Sequence, residues 1–400
     1  MLSLDSPVAK FAPWLIVATL VVTSAVGISQ SSSGQSEAGD FGGDFPSFYG
    51  AGSIVLDGHG EDLYDVELQQ QVQSDQFEDG GYLYFAYPPY TALPYAGLAA
   101  LPYNAAFVLH TILAVAALIG AVLAFRPFAR GMLDGRTRLG IGVAASLAMY
   151  PVLRSVLGGQ NATFTLLLLV LVARFDHEDH AMATGLAAAA MLFKPQFGVL
   201  VILVLVVARR WRATAWAIGG AAALFGAGVV VAGSNWLKTW LEAVTAFGDE
   251  NLQVNGELMV SMVGWIQNQF GTDPWTYVLA GGLLMALGIP IAIGLVTKRW
   301  TEIPWYAVAP LVVLAAPSAL YYDTAMLLVT IAVAAAWFAG IRTGIAAAAV
   351  VVSWTQIAAG SLGWSPLFIP LVVTAAMLAA GAGRPRANRL LAETQTSVDP

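Results

Sequence analysis

Five short polar motifs interrupt an otherwise apolar chain, and their residue types suit one kind of chemistry. Asp40-Phe-Gly-Gly-Asp44-Phe-Pro-Ser-Phe-Tyr49 sets two carboxylates in a glycine-rich aromatic stretch. Tyr82-Leu-Tyr-Phe-Ala-Tyr87-Pro88-Pro89-Tyr90 gathers hydroxyls ahead of a stiff Pro-Pro pair. Gly158-Gly159-Gln160-Asn161 is a turn carrying two amides, with Arg154 just before it. Phe193-Lys194-Pro195-Gln196 and Pro317-Ser318-Ala-Leu-Tyr321-Tyr322-Asp323 complete the set. A carboxylate-rich stretch facing cations and aromatics suits a site that handles an anionic, partly lipidic substrate. Asp44 and Asp40, four residues earlier, are its candidate acids.

Each motif also has a plainer reading. Asp44 is one of eleven acids within residues 30–87. Lys194 at a helix end can snorkel to a membrane interface. The Gly-Gly-Gln-Asn run can be a simple turn, and Asn161-Ala-Thr163 also reads as a glycosylation sequon. Asp323 can be held by a neighbouring tyrosine, and His110, in an apolar run, reads as a packing residue. His177-Glu-Asp-His180 has a metal-like spacing but sits in a charged loop remote from the other motifs.

Several functions are excluded at this stage. The chain has no cysteine, which removes disulfides, thiolate metal sites and Cys nucleophiles. No basic patch exists for nucleic acid. No Walker loop or Gly-x-Gly-x-x-Gly unit is present, and no repeat of fixed period is evident. The loop acids contain no Asp-x-Asp pair, so a metal-independent reaction without cofactor is expected.

The elements that must position these motifs are membrane spans. The 400 residues are 58% hydrophobic and 11% charged, with a mean hydropathy of +0.70; an ordinary soluble chain carries about 25% charged residues. An all-α polytopic membrane protein is expected. Apolar segments run over Phe11–Ile28 and near 105–125, 139–157, 162–174, 181–193, 196–208, 213–233, 275–297, 304–317, 324–340, 343–359 and 366–382. Several fall short of the roughly 20 residues of a straight span, which predicts broken or tilted helices. Phe11–Ile28 reads as a retained first helix, with a cleavable signal peptide as the alternative.

Charge orients the array. No Lys or Arg occurs between Lys10 and Arg126. Basic clusters at Arg126/Arg130/Arg136/Arg138, Arg174, Arg209/Arg210/Arg212, Lys298/Arg299, Arg342 and Arg384/Arg386/Arg389 fall on one side if crossings alternate. The positive-inside rule makes that side cytoplasmic and gives about twelve spans, with both termini inside, in an inner (cytoplasmic) membrane. Residues 1–383 then form one transmembrane domain, 30–102 an acidic outer-face loop with short helices, and 384–400 a cytoplasmic tail. Pro88–Leu101 reads as a short outer-face or re-entrant helix, and 234–258 as an outer loop in which Lys238, beside Trp236 and Trp240, anchors to the interface. All five motifs land on the outer side. Arg154 and Lys194 are then intramembrane cations, which need a functional reason.

These motifs resemble glycosyltransferase family 87. The match lies in Asp44–Ala51 (Asp-Phe-x-x-Phe-Tyr-x-Ala), Leu63-Tyr64-Asp65, Tyr87-Pro88-Pro89, Gly159-Gln160-Asn161, Lys194-Pro195-Gln196 and the late Pro-Ser…Tyr-Asp segment, from about 40 to 330. The resemblance implies a GT-C-like helical bundle and inverting transfer of a mannose-like hexose from a polyprenyl-phosphate sugar. The acceptor would be a hydroxyl of a glycolipid or glycan, at the outer face of the membrane. It implies Asp44 as general base and Arg154 and Lys194 as holders of the donor phosphate. Gln160, Asn161 and Gln196 would be their polar neighbours, and Tyr87, Tyr321, Tyr322 and Asp323 would line the cavity. Some branches of the family carry histidines near the late motif, where this chain has tyrosines. A lipid-linked-sugar flippase or other secondary transporter is the rival reading, with Arg154 and Lys194 as pathway charges. Against it stand the absence of paired halves and the long acidic loop. A third reading is an assembly protein that uses these motifs as protein contacts.

Overall fold

The computed structural model describes residues 43–75, 77, 81–129, 131–297, 302–358, 367, 369–374 and 377. Phe11–Ile28, Asp40, Lys298/Arg299 and the tail, with the first helix, the substitute base and the cytoplasmic tail expected there, lie outside the described residues. The described chain is helical, and its one β-bridge joins Met259 to Leu320.

Three short helices come first: α1 (Phe45–Leu56), α2 (Val66–Gln73) and α3 (Ala92–Ala99). Their apolar side chains form a core of their own around Phe45, Phe48, Ile54, Leu63, Phe85 and Tyr95. Gly52 lets α1 cross α3 closely, because a Cβ there would stand 2.4 Å from the Tyr95 carbonyl. Two buried glutamines of α2 hold the extended 82–87 stretch as a neighbouring strand would. Gln73 donates to the Leu83 carbonyl (3.1 Å) and accepts from the Leu83 N–H (3.0 Å). Gln69 accepts from the Phe85 N–H (2.9 Å) while donating to the Leu63 carbonyl (2.8 Å). These bonds satisfy backbone groups that a buried loop would otherwise leave bare.

The main bundle follows: α4 (Tyr103–Ala124), α5 (Arg136–Leu147), α6 (Tyr150–Leu157), α7 (Ala162–His177), α8 (Ala181–Ala190), α9 (Pro195–Val207) and α10 (Trp211–Ala232). It continues with α11 (Trp236–Asn255), α12 (Met262–Phe270), α13 (Pro274–Val296), α14 (Trp305–Ala315), α15 (Leu328–Trp337) and α16 (Arg342–Trp354). Its core is built mainly from α4, α7, α8, α9, α14 and α15.

Among the described residues, α4, α10 and α13 are long and apolar enough to cross a membrane, and α5 with α6, bent by 80°, can be a fourth, broken span. The twelve spans read from the sequence are therefore not established. Apolar runs that read as spans are cut short: α6 restarts at Tyr150-Pro151, and α8 runs through a 3-10 turn at Met191–Phe193 into Lys194-Pro195. Hydropathy sees the apolar length of a run but not the break within it. A second correction concerns 234–258, expected as a loop. It holds the 20-residue helix α11, with Trp236 buried and Lys238 exposed beside Glu242 at 3.8 Å. Its mixed polar pattern is that of an amphipathic helix on the surface of the bundle.

The candidate active site

The connections at one end of the bundle carry the five motifs. Asp44 precedes α1, and its backbone N–H donates to the Gly158 carbonyl (2.9 Å). Gly159 adopts φ +64°, and a Cβ on it would meet the Phe45 Cβ at 2.5 Å, so only glycine lets this turn seat against α1. Ser155 closes the turn: its backbone carbonyl accepts from the Gln160 N–H (2.8 Å), and its hydroxyl donates to the Gln160 carbonyl (3.2 Å). The Gln160 amide then reaches the Asp44 carboxylate and donates Nε2–H to Oδ2.

An aspartate at a helix N-cap ordinarily accepts from the first turn's N–H groups. Asp44 makes no such bond; its carboxylate is given to Gln160 and to its electrostatic surroundings. Removal from water pushes its carboxyl up to about 6, against the pull of Lys194 and then Arg154. The residue as a whole is half-buried.

Lys194 and Asp323 form an ion pair of 2.6 Å at 2% and 4% exposure, with residues 129 apart in sequence brought together. The Asp323 side chain also accepts from the Leu320 N–H (3.1 Å). The Lys194 ammonium stands 5.3 Å from the Tyr322 ring centroid and 5.7 Å from that of Phe197. Asp323, expected from sequence to line the cavity or else to be held by a neighbouring tyrosine, pairs with Lys194, a long-range contact with no local signal. Arg154, on α6 and half-buried, is hydrogen-bonded to Tyr321 and lies within electrostatic reach of Asp44. Tyr321 in turn stacks on Tyr150 at 5.5 Å.

The tyrosine motif joins from the side of α3. Tyr90 donates to the Leu192 carbonyl (2.8 Å) and Thr91 to that of Phe193 (3.4 Å), docking this segment on the Lys194 turn. Tyr87, its carbonyl bonded by the Tyr64 hydroxyl (2.8 Å), brings its own hydroxyl near Asn161 and within reach of the Asp44 and Asp323 charges. Asn161, at 2% exposure, is too buried for the sequon reading.

The fold thus brings Asp44, Gln160, Asn161, Arg154, Lys194, Asp323, Tyr87, Tyr321 and Tyr322 to one place. Gln196, in the first turn of α9, is half-buried and has no hydrogen bond to the cluster. Sequence reasoning passed over Ser155 and Tyr150. The Tyr150-Pro151 pair was the available signal for the second, since Pro in a first turn marks a helix start. At the other end of the bundle, His177 faces Glu302 at 3.3 Å and His180 is exposed. Asp176 takes Arg210 at 2.8 Å there and the Trp305 indole at 3.4 Å.

This geometry offers a held carboxylate, an arginine within its electrostatic reach and a second, buried cation, with apolar helices around them. The sequence model of glycosyltransferase family 87 matches residues 85–301, more than half of the chain. Asp44 and the 317–323 motif lie outside that span and join it through the contacts above. No curated protein and no solved structure matches the chain. The matched span covers the Tyr-Pro-Pro, Gly-Gln-Asn and Lys-Pro-Gln motifs that converge on the site, and the chain belongs to glycosyltransferase family 87, a family of glycosyltransferases.

Proposed function

We propose that this membrane glycosyltransferase moves a mannose-like hexose from a polyprenyl-phosphate sugar to a hydroxyl of a glycolipid or glycan, with inversion, at the outer face of an inner membrane. The observation that carries the reading is the Asp44 carboxylate, oriented by Gln160 and within electrostatic reach of Lys194 and Arg154. Asp44 takes the proton of the acceptor hydroxyl as its oxygen attacks the anomeric carbon. The bond to the donor phosphate breaks, and the lipid phosphate leaves with the electron pair. Arg154 stabilises the charge that develops on that phosphate. A carboxyl near 6 is a stronger base than an ordinary aspartate yet is ionised at neutral pH.

Lys194 is proposed to hold the donor phosphate with Arg154, and its pair with Asp323 bears on how. Closed against Asp323, it meets the donor phosphate only if that pair opens; otherwise it holds the Asp323 and Tyr322 segment in place. The reaction is proposed to need no metal. The apolar helices around the site supply the lipid-facing wall a polyprenyl chain requires.

The test is sugar transfer by purified protein in lipid bilayers, given a polyprenyl-phosphate hexose and a crude envelope acceptor pool. Transfer that is lost in Asp44→Asn and survives a chelator supports the reading. Full activity of Asp44→Asn removes Asp44 as base and points to Asp40. Donor that crosses the bilayer without any transfer overturns the reading in favour of a transporter.

A further inference from the structure

The bend between α5 and α6 leaves backbone groups that neither helix satisfies. The two helices meet at 80° across Ala148 and Met149. In the first turn of α6, Val152 and Leu153 both donate to the Met149 carbonyl (3.1 and 2.9 Å), and Pro151 has no N–H to place. The Tyr150 N–H and the Ala148 carbonyl remain, one at a helix start and one at a helix end. In a broken span no bulk water is at hand for them, so neighbouring side chains must take its place.

The last turn of α16 supplies both partners. The Ser353 hydroxyl accepts from the Tyr150 N–H (3.1 Å) and donates its own proton to the Val350 carbonyl (2.7 Å). The Trp354 indole N–H donates to the Ala148 carbonyl (2.8 Å). Ser353 is 3% exposed, which keeps competing water away from the bond. The same helix end also holds the late motif. The Trp354 ring lies 5.5 Å from that of Tyr150, which stacks on Tyr321. Gln356, buried two residues further on, donates to the Thr324 hydroxyl (3.4 Å), whose proton goes to the Tyr321 carbonyl (2.6 Å).

Arg154 stands one helical turn after Tyr150, on the same face of α6. Helix α6 is only eight residues long, so the bend at its start sets where all of them stand, Arg154 included. We propose that Ser353 and Trp354 are positioning residues: they fix the bend at Ala148–Tyr150 and thereby place the Arg154 guanidinium against the donor phosphate. The inference rests on the part given to Arg154 in the transfer proposed above. Neither Ser353 nor Trp354 acts on substrate itself.

The experiment measures transfer at saturating donor by the full chain in bilayers, with a polyprenyl-phosphate hexose and the envelope acceptor pool. Ser353→Ala and Trp354→Phe each lower kcat by about tenfold, the effect of one lost hydrogen bond felt through a misplaced cation. Ser353→Thr, which keeps the hydroxyl, restores the rate. In an Arg154→Gln background, Ser353→Ala changes the residual rate by less than about twofold, because no guanidinium is left to place. The same tenfold loss in that background overturns the proposal and leaves a packing effect independent of Arg154. Wild-type rates in both Ser353→Ala and Trp354→Phe overturn it too.

A second readout does not depend on activity. Amide hydrogen exchange across α6 is expected to speed up in Ser353→Ala and Trp354→Phe and to return to the wild-type rate in Ser353→Thr. Exchange that does not respond overturns the proposal. Wild-type protein that transfers no sugar while its exchange responds as expected overturns the transferase reading, and leaves the hold of α16 on the bend standing.

Discussion

The two ends of the bundle handle charge in opposite ways. At the end that carries the motifs, Lys194 and Asp323 are sealed from solvent at 2% and 4% exposure. At the other end, Arg126 and Asp134 pair at 3.8 Å with about half or more of each side chain exposed, and His177 meets an exposed Glu302. Arg174 and Glu178, at 2.9 Å, lie between these extremes at about a third exposed. Exposed pairs exchange readily with water and contribute little. A sealed pair cannot: each partner is there because the other is, and loss of one leaves an uncompensated charge in low dielectric. The same residue types therefore define the topology at one end and the chemistry at the other, and burial rather than residue identity separates the two roles.

The sharpest way to break this contrast is Asp44→Asn. The change is isosteric and leaves Gln160 a partner, so the fold should hold while transfer falls by about a hundredfold or more, the range of a lost general base. Transfer rates and a thermal melt on the same preparation check both halves. A melt that collapses along with activity would make Asp44 a structural residue. The pH profile sharpens the same point. Because Asp44 works as the carboxylate, kcat/KM should rise with pH and level off above about 6. The native state holds this proton more tightly than the unfolded chain, so Asp44 lowers stability as pH rises from about 4 to about 6.

Lys194→Met should be the most destabilising single change tested, by about 3–5 kcal/mol, because it strands Asp323 inside the bundle. Adding Asp323→Leu should recover much of that loss, since a buried pair replaced by apolar groups is often nearly neutral. Thermal or denaturant unfolding in detergent measures both variants. A double variant as unstable as the single would show that Asp323 has essential partners besides Lys194.

Much of this arrangement was legible in the sequence, and the illegible part has identifiable causes. Charge segregation placed Arg126, Arg174 and Arg210 at the end away from the motifs, because each ends or follows a helix that begins near the site or returns toward it. Of the short helices of 45–99, only Ala92–Ala99 was located from sequence, by the prolines of Pro88–Leu101; the other two were expected only as unplaced short helices of the 30–102 loop. The break at Tyr150-Pro151 was not legible, since apolar composition continues across it, whereas Lys194-Pro195 already separated the apolar segments 181–193 and 196–208. Helix α11 was missed because its charged residues read as loop, although its spacing is amphipathic. The Lys194–Asp323 pair joins segments 129 residues apart and leaves no periodic trace. His110 is the packing residue its apolar neighbourhood suggested, at 1% exposure among Phe45, Tyr95 and Phe164, but the Tyr95 hydroxyl 3.5 Å from it arrives from another helix and leaves no local signal.

An intermediate case lies at the far end. Asp176 has a side chain 6% exposed and binds Arg210 and Trp305. It thereby ties the far ends of α7 and α14 to the turn between α9 and α10, and α7, α9 and α14 each meet a site motif at their other end. Asp176→Asn removes the charge but keeps an acceptor for the indole. It should cost about 1–3 kcal/mol of stability, less than Lys194→Met, and should leave the donor KM unchanged. A melt of Asp176→Asn beside its transfer kinetics measures both.

The smallest effect belongs to Arg174→Ala, which removes a pair one helical turn long on the rim of that same end. Its partner Glu178 is about a third exposed and regains water when the guanidinium is gone. The expected loss is below about 1 kcal/mol, further reduced by salt. Unfolding at low and high ionic strength reads this directly, with Lys194→Met as the opposite extreme, because a sealed pair is screened little. If Arg174→Ala destabilised as strongly as Lys194→Met, with no salt dependence, exposure would have failed as the property that distinguishes the two ends. The site would then have to be sought from chemistry alone.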